Sequence, residues 1–410
     1  MKIATVTRDY NFLINGFVVK KFEKNKSYIM SEMLMKDIMH AGGNKLFAAI
    51  RDIDNSVYKK YNGENLSGKT IAIWRTGGMG DLCFITPYLK KIKELYVDSK
   101  IIFGCGIQYS DVMSKHKYID EFHNLPIDLD TLAKADYHLM FEGLIEGNKE
   151  AESVNAYDLF GKVFNIILED NEKIPNLSVE EENLNFIKSL EEKFITVENP
   201  IKIGIHIKTS SIIRDVPVKF WKNLTYKLLN YDKRICIYLI GSQEDSEIGN
   251  QITIPTIGAG RVLPLYQVTR GFRDSVAAIS LIDIIVGGDS SGLHIASAFE
   301  KPIIGLFGAF KSELRLKHYK RAIGIDAKTK CSPCFLHGNQ PCDYSDFKGN
   351  SYCMMIFEDD KVIDEIMMLL HITNKIEINS LSPKAATVAL NVFKEYINNK
   401  QNKEETNGNS

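Results

Sequence analysis

From Lys69 onward, short apolar runs alternate with stretches whose apolar residues recur every three or four positions. The run "TIAIW" (70–74) has the length of a buried strand, and it leads through a glycine-rich turn into a helical set, Leu82, Ile85, Leu89, Ile92 and Leu95. "KIIFGC" (100–105) and "YHLMF" (137–141) continue the rhythm, which predicts a parallel sheet. The acidic stretch 179–194 predicts a solvated helix, followed by a break at Glu198-Asn199-Pro200. A second series then opens with "IKIGIHI" (201–207). It proceeds through a helix from Pro217, the strand "ICIYLI" closing on Gly241, the strand "DIIVGG" (283–288) and the run "KPIIGLFG" (301–308). Two α/β series divided near residues 195–200 predict two Rossmann-like domains facing a cleft, with ligand at the carboxyl ends of the strands.

The first 65 residues break this pattern. Short alternating runs such as "FVVKKF" and one helix-like stretch, "SEMLMKDIMHAG", predict a small α+β domain at 1–65. The two Rossmann-like domains are then expected at 66–197 and 198–325, a cysteine-rich segment at 326–358 and C-terminal helices at 359–399. Ser382 and Pro383 fit the start of the last helix, whose apolar residues Ala385, Val388, Ala389, Val392, Phe393 and Ile397 keep helical spacing. The polar residues 400–410 read as a disordered tail, and no repeat of fixed period is present.

Of 410 residues, 44% are hydrophobic and 25% charged, the balance of a soluble globular chain of two or three domains. With 51 Lys and Arg against 52 Asp and Glu, no global charge favours nucleic acid or an anionic membrane, so neither is an expected partner. Asp9, Asn11, Asn15 and Gly16 interrupt the apolar N-terminal stretches, so neither a signal peptide nor a membrane span is predicted and a cytoplasmic location is expected. A reducing compartment favours thiols or metal ligation over disulfides for the seven cysteines.

Chemistry concentrates at two strand-to-helix junctions and one cysteine cluster. In "DIIVGGDSSGLHIASAF" (283–299) the strand ends at a glycine pair, and Asp289 or Ser290 is placed to cap a helix starting near Ser291. Unpaired N–H groups and the positive end of a helix dipole suit a diphosphate. Ser290 and Ser291 add hydroxyls, and Gly287, Gly288 and Gly292 let backbone come close to a ligand. His294 fits either this site or a satisfied structural position, and the serines and Asp289 also read as ordinary caps. The other junction is Thr76-Gly77-Gly78-Met79-Gly80-Asp81; it lacks the spacing of a dinucleotide fingerprint. Asp81, at the helix start with no neighbouring cation in sequence, is free for proton chemistry. Cys331-x2-Cys334-x7-Cys342-x10-Cys353 has the spacing of a tetrathiolate site for zinc or iron, with His337 as a substitute ligand and disulfides or unpaired thiols as alternatives. Such a closed site is structural. Cys83, Cys105 and Cys236 lie in apolar runs and read as core.

"WRTGGMGDLCFITPYLKKIK" (74–93) together with "GGDSSGLHIASAFEKPIIGLFG" (287–308) resembles glycosyltransferase family 9, the heptosyltransferase-like enzymes of GT-B fold. The resemblance runs in order over residues 69–310. It implies that Asp81 is the catalytic base of an inverting transfer, accepting the acceptor hydroxyl's proton, and that no catalytic metal takes part. Asp289, Ser290, Ser291 and His294 match the family's nucleotide-sugar motif, Asp-Thr/Ser-Gly-x-x-His, except that Ser291 stands where glycine is usual and Gly292 follows. In "GIHIKTSSIIRDVPVKFWKNL" Arg214 holds the basic position before a Trp-Pro pair that is Val216-Pro217 here; Thr209 and Ser210 would add phosphate contacts. The implied substrates are a nucleotide-diphosphate sugar, heptose foremost, and an acceptor hydroxyl on a glycan, a lipopolysaccharide core or a protein side chain. In the autotransporter-modifying branch a comparable cysteine cluster binds iron, and a homo-oligomer is an open possibility. A nucleotide-sugar 2-epimerase and a catalytically silent sugar-nucleotide-binding assembly protein are the alternative readings.

Overall fold

The computed structural model describes residues 2–14, 17–42, 45–53, 57–146, 148–253, 258–338, 341–373 and 375–376. The chain forms two compact units, Met1–Ser178 with Gly271–Arg273, and Val179–Arg270 with Asp274–Ser410. The expected last helix and tail (382–410) lie outside the described residues.

In the first unit, β1 (Lys2–Val6) pairs antiparallel with β4 (Ser27–Met30) and β5 (Phe47–Asp52), while β2 (Tyr10–Ile14) and β3 (Phe17–Phe22) form a hairpin. Together with the helix Glu32–Gly42 these are the α+β elements that the N-terminal pattern predicts. Val6, Phe22, Tyr28, Ile38 and Leu46 form their core. A parallel sheet follows, of β6 (Thr70–Arg75), β7 (Lys100–Cys105), β8 (Glu121–Asn124) and β9 (Tyr137–Met140), in the order β8-β7-β6-β9.

The helix Met79–Leu95 buries Leu82, Ile85, Leu89 and Ile92 as their spacing predicts. Leu95, expected on the same face, is exposed because the helix ends there. Pro87 inside this helix cannot donate to the carbonyl four residues back. That carbonyl, on Cys83, instead accepts from the Thr86 hydroxyl at 2.9 Å.

The second unit holds six parallel strands: β10 (Ile201–His206), β11 (Ile235–Ile240), β12 (Val262–Pro264), β13 (Ile284–Gly288), β14 (Ile303–Phe307) and β15 (Ala322–Asp326). Their spatial order is β12-β11-β10-β13-β14-β15. This is a doubly wound sheet, whose strand order reverses between β10 and β13. The strands β11, β13 and β14, made of apolar residues and glycine, are buried throughout, as central parallel strands covered on both faces must be. In the first unit the same reversal falls between β6 and β9. Both glycine-rich junctions leave strands that flank these crevices.

The helix Asp359–Ile372, expected at 359–371, packs on the helix Val218–Tyr231 and on β13 and β14. It buries Val362, Ile363, Ile366, Met367 and Leu370 in the core of the second unit. Among the described residues no helix is long and apolar enough to cross a membrane. Ile366 is fully buried in this core, so Ile366→Ala is expected to lower unfolding free energy by about 2–5 kcal/mol in urea denaturation; a smaller loss would mean that the helix is not an integral part of that core.

Candidate functional site

In the first unit the crevice is built around Arg75, the last residue of β6, whose side chain is 1% exposed. Its Nη1 donates to the Phe141 carbonyl beyond β9. Its Nη2 donates to Asp81 Oδ2 at 3.0 Å and to Glu146 Oε1 at 2.7 Å. Burial works against the Arg75 charge, but the two carboxylates outweigh it and raise its pKa. The expectation that Asp81 has no cation beside it is therefore overturned: the turn at Gly77 folds the helix start back over the strand end, six residues earlier in sequence. A Cβ on Gly77 would stand 2.2 Å from Asp81 Oδ2 and 2.4 Å from Arg75 Nε, so this turn needs glycine. Among the described residues Asp81 Oδ1 takes no hydrogen bond, and the side chain is 18% exposed. Gly78 is the extended N-cap, Gly80 lies in the first turn, and Glu142 accepts from the Thr76 N–H at 2.8 Å.

In the second unit the loop after β10 and the junction after β13 meet at the reversal point. Arg214 Nη1 donates to the Asp289 carbonyl at 3.0 Å and to its Oδ2 at 3.1 Å, while Nη2 reaches Ser210 Oγ at 3.0 Å. Burial pushes the Asp289 carboxyl up, yet the guanidiniums of Arg214 and Arg315 hold it below the usual range, so the carboxylate is charged. Thr209 is tied into the loop: its N–H donates to Asp215 Oδ1 at 2.7 Å, and its hydroxyl lies 2.7 Å from the Ser211 carbonyl and 2.9 Å from Asp215 Oδ1.

Ser290 is the N-cap of the helix Ser291–Ala298, but its hydroxyl caps nothing: among the described residues Oγ is buried without a partner. Asp289, the other expected cap, is engaged with Arg214 instead. The three glycines pack closely against neighbouring groups. A Cβ on Gly292 would lie 2.5 Å from the His206 ring, one on Gly287 3.0 Å from His206 Cβ, and one on Gly288 2.9 Å from the Arg214 carbonyl. His294, one turn on, is 3% exposed with Nδ1 2.9 Å from Tyr319 Oη. Burial pushes its pKa down to about 4 despite the Asp289 carboxylate, so the imidazole is neutral at pH 7.

All four clustered cysteines are free thiols. Cys353 is buried, its sulfur against Gly308 where a Cβ would come within 2.6 Å. Burial, and then the thiols of Cys334, Cys331 and Cys342, push its pKa up to about 11. The four thus share one neighbourhood, but no group of three or more possible ligands is disposed to hold a metal ion among the described residues. His337 packs on Phe310 with ring centroids 4.6 Å apart. Cys83, Cys105 and Cys236 are core residues, as expected.

Sequence reasoning missed Arg75, Glu142, Glu146, His206, Arg315 and Tyr319. Arg75 carried a signal, a lone charge ending an apolar strand before glycines, and His206 lay in the quoted segment 204–224 without being singled out; the others stand in segments with no motif.

The model of glycosyltransferase family 9 (heptosyltransferase) matches residues 155–343, less than half of the chain. The match spans Arg214, Asp289 and His294 but neither Asp81 nor Cys353. It bears out the family resemblance and the glycosyltransferase class expected from the two motifs. No curated protein sequence matches significantly. Among solved structures, a family 9 glycosyltransferase of Veillonella parvula aligns with TM-score 0.59 at 15% identity, covering 76% of this chain and 99% of that one. The E. coli ADP-heptose lipopolysaccharide heptosyltransferase II aligns with TM-score 0.57 at 15% identity, covering 75% and 99%. TibC, a dodecameric iron-containing glycosyltransferase of enterotoxigenic E. coli, gives 0.52 at 11% identity over 91% of each chain. The fold is thus the α/β architecture with parallel sheets of these enzymes.

The depressed pKa of His294 has a consequence for stability. An unfolded histidine takes up its proton near pH 6.5 and the folded one only near 4, so stability is full above pH 6.5 and is lost as the pH falls towards 4. The loss attributable to this residue is on the order of 3 kcal/mol. Urea midpoints measured from pH 7 to 4 are expected to fall less steeply for His294→Gln than for the wild type; parallel curves would contradict the burial of a neutral imidazole.

Proposed function

We propose that this chain, whose residues 155–343 carry the family 9 signature, is an inverting glycosyltransferase that moves a sugar, heptose foremost, from a nucleotide-diphosphate donor to an acceptor hydroxyl. The observation that carries the reading is Asp81 at the first unit's crevice, paired with a buried arginine and, among the described residues, with one carboxylate oxygen unengaged. That oxygen accepts the proton of the acceptor hydroxyl as the hydroxyl oxygen attacks the anomeric carbon. The bond from that carbon to the diphosphate breaks with its electron pair, and the new glycosidic bond forms on the opposite face. Arg75 holds Asp81 in place and shares the same Nη2 with Glu146.

In the second unit Asp289 orients Arg214, whose charge stabilises the departing diphosphate. Neutral His294, held by Tyr319, can direct Nε2 as donor or acceptor to the nucleotide sugar. Thr209, Ser210, Ser291 and Gly292 border the same site. The acceptor is a glycan, a lipopolysaccharide core or a protein side chain. The printed description of TibC as iron-containing and dodecameric, with four free thiols in one neighbourhood here, supports a homo-oligomer and a structural zinc or iron ion held by Cys331, Cys334, Cys342 and Cys353. Such an ion would crosslink a segment poor in apolar side chains. The cytoplasm is the proposed location.

Asp81→Asn is expected to lower the transfer rate by about 10²–10⁴ and to leave donor affinity within a few-fold, measured by nucleoside-diphosphate release and by calorimetry. Near-normal turnover in this variant would remove the base assignment. Elemental analysis of purified protein is expected to find about one zinc or iron per chain, lost with thermal stability in Cys331→Ser and retained in Cys236→Ser. A folded preparation without either metal and with unreactive thiols would mean disulfides instead.

A further inference from the structure

Arg315 lies in the short helix Glu313–Leu316 that follows β14, outside both sequence motifs. It is 5% exposed, and among the described residues its buried Nη1 has no acceptor. Its guanidinium sits over the Phe310 ring, 4.9 Å from the centroid. That ring is itself clamped by Phe335 and His337 of the cysteine segment, at 5.9 and 4.6 Å between centroids. Arg315 is close enough to Asp289 and His294 to act on both electrostatically.

The charges around Asp289 do not balance. Its single carboxylate is bound by Arg214 and also lies within reach of Arg315, while His294 is neutral, so two guanidiniums face one carboxylate. Ser290 Oγ, at the start of the helix Ser291–Ala298, is a second buried polar atom without a partner among the described residues. Buried guanidinium and hydroxyl groups are stable when an anion with several acceptor oxygens meets them. We infer that Arg315 is a donor-binding residue, giving Nη1 to a phosphate oxygen of the nucleotide diphosphate, with Phe310 as its fixed backing and Ser290 Oγ donating to the same group.

The inference rests on the reading of this site as a nucleotide-diphosphate site, and the two are separable by titration. Wild type, Arg315→Met and Arg315→Lys are titrated calorimetrically with ADP, GDP, UDP and CDP, and with the nucleoside of whichever diphosphate binds. A hydrogen bond to a charged group corresponds to a loss of about tenfold or more. Arg315→Met is expected to weaken the diphosphate by that factor and to leave the nucleoside within about twofold, with Arg315→Lys between. Unchanged diphosphate affinity, or equal weakening of the nucleoside, would overturn the role of Arg315. If the wild type binds none of the four diphosphates, the reading of the site itself fails. Should Arg315→Met not fold, amide exchange in wild-type residues 309–319 decides: saturating pyrophosphate is expected to slow it, and no change would overturn the inference.

Discussion

The ion pair of Arg214 with Asp289 is the interaction on which the second unit's site depends. The Asp289 side chain is only 7% exposed, and a carboxylate so far from water is charged only when a cation offsets its desolvation. Arg214 provides that cation from the loop after β10, so the pair ties together the two strands between which the sheet order reverses. The same solution recurs in the first unit, where Arg75 ends β6 and holds Asp81 and Glu146. In each crevice a guanidinium pins an acid that opens a helix.

Sheet order explains why these residues converge. In a doubly wound sheet the loops after the two strands flanking the reversal splay apart and leave a crevice at their carboxyl ends. Thr209 to Arg214 follow β10, and Asp289 to His294 follow β13; in the first unit the corresponding segments follow β6 and β9. The glycines serve this convergence by packing. Gly292 admits the His206 ring, Gly77 admits the Asp81 carboxylate, and Gly308 admits Cys353. A side chain at any of the three would displace a functional or candidate ligand group.

Much of this was legible in the sequence. Short apolar runs against a period of 3.6 located β6, β7, β9, β10, β11, β13 and β14 but not the short β8, β12 and β15, and glycines after apolar runs marked both crevices. Asp81 and Asp289 stood out because an acid opening a helix after such a turn is exposed to whatever the crevice holds. What pairs with them was not legible. Glu146 lies 71 residues from Arg75 and is brought to it only because β9 sits beside β6, an adjacency that periodicity does not encode. Arg315 is in an amphipathic stretch where an arginine ordinarily faces solvent; here it is buried over the Phe310 ring, against which Phe335 and His337 of the cysteine segment pack. Leu95 kept helical spacing yet is exposed, since spacing does not say where a helix stops. The glycine pair of β13 marked a close backbone approach, but not that His206 and the Arg214 backbone pack against it.

The central claim is that an activated sugar is transferred with inversion. It is tested most directly by incubating wild-type protein with a panel of nucleotide-diphosphate sugars, ADP-D-β-D-heptose first, and an acceptor pool of glycan, lipopolysaccharide core and protein, and reading the anomeric signals of the transferred sugar by proton NMR. Release of the nucleoside diphosphate, with the sugar appearing first in the configuration opposite to that of the donor, is the predicted result. Retention of configuration, an epimerised sugar still joined to its nucleotide, or no turnover of any donor in the panel would contradict it.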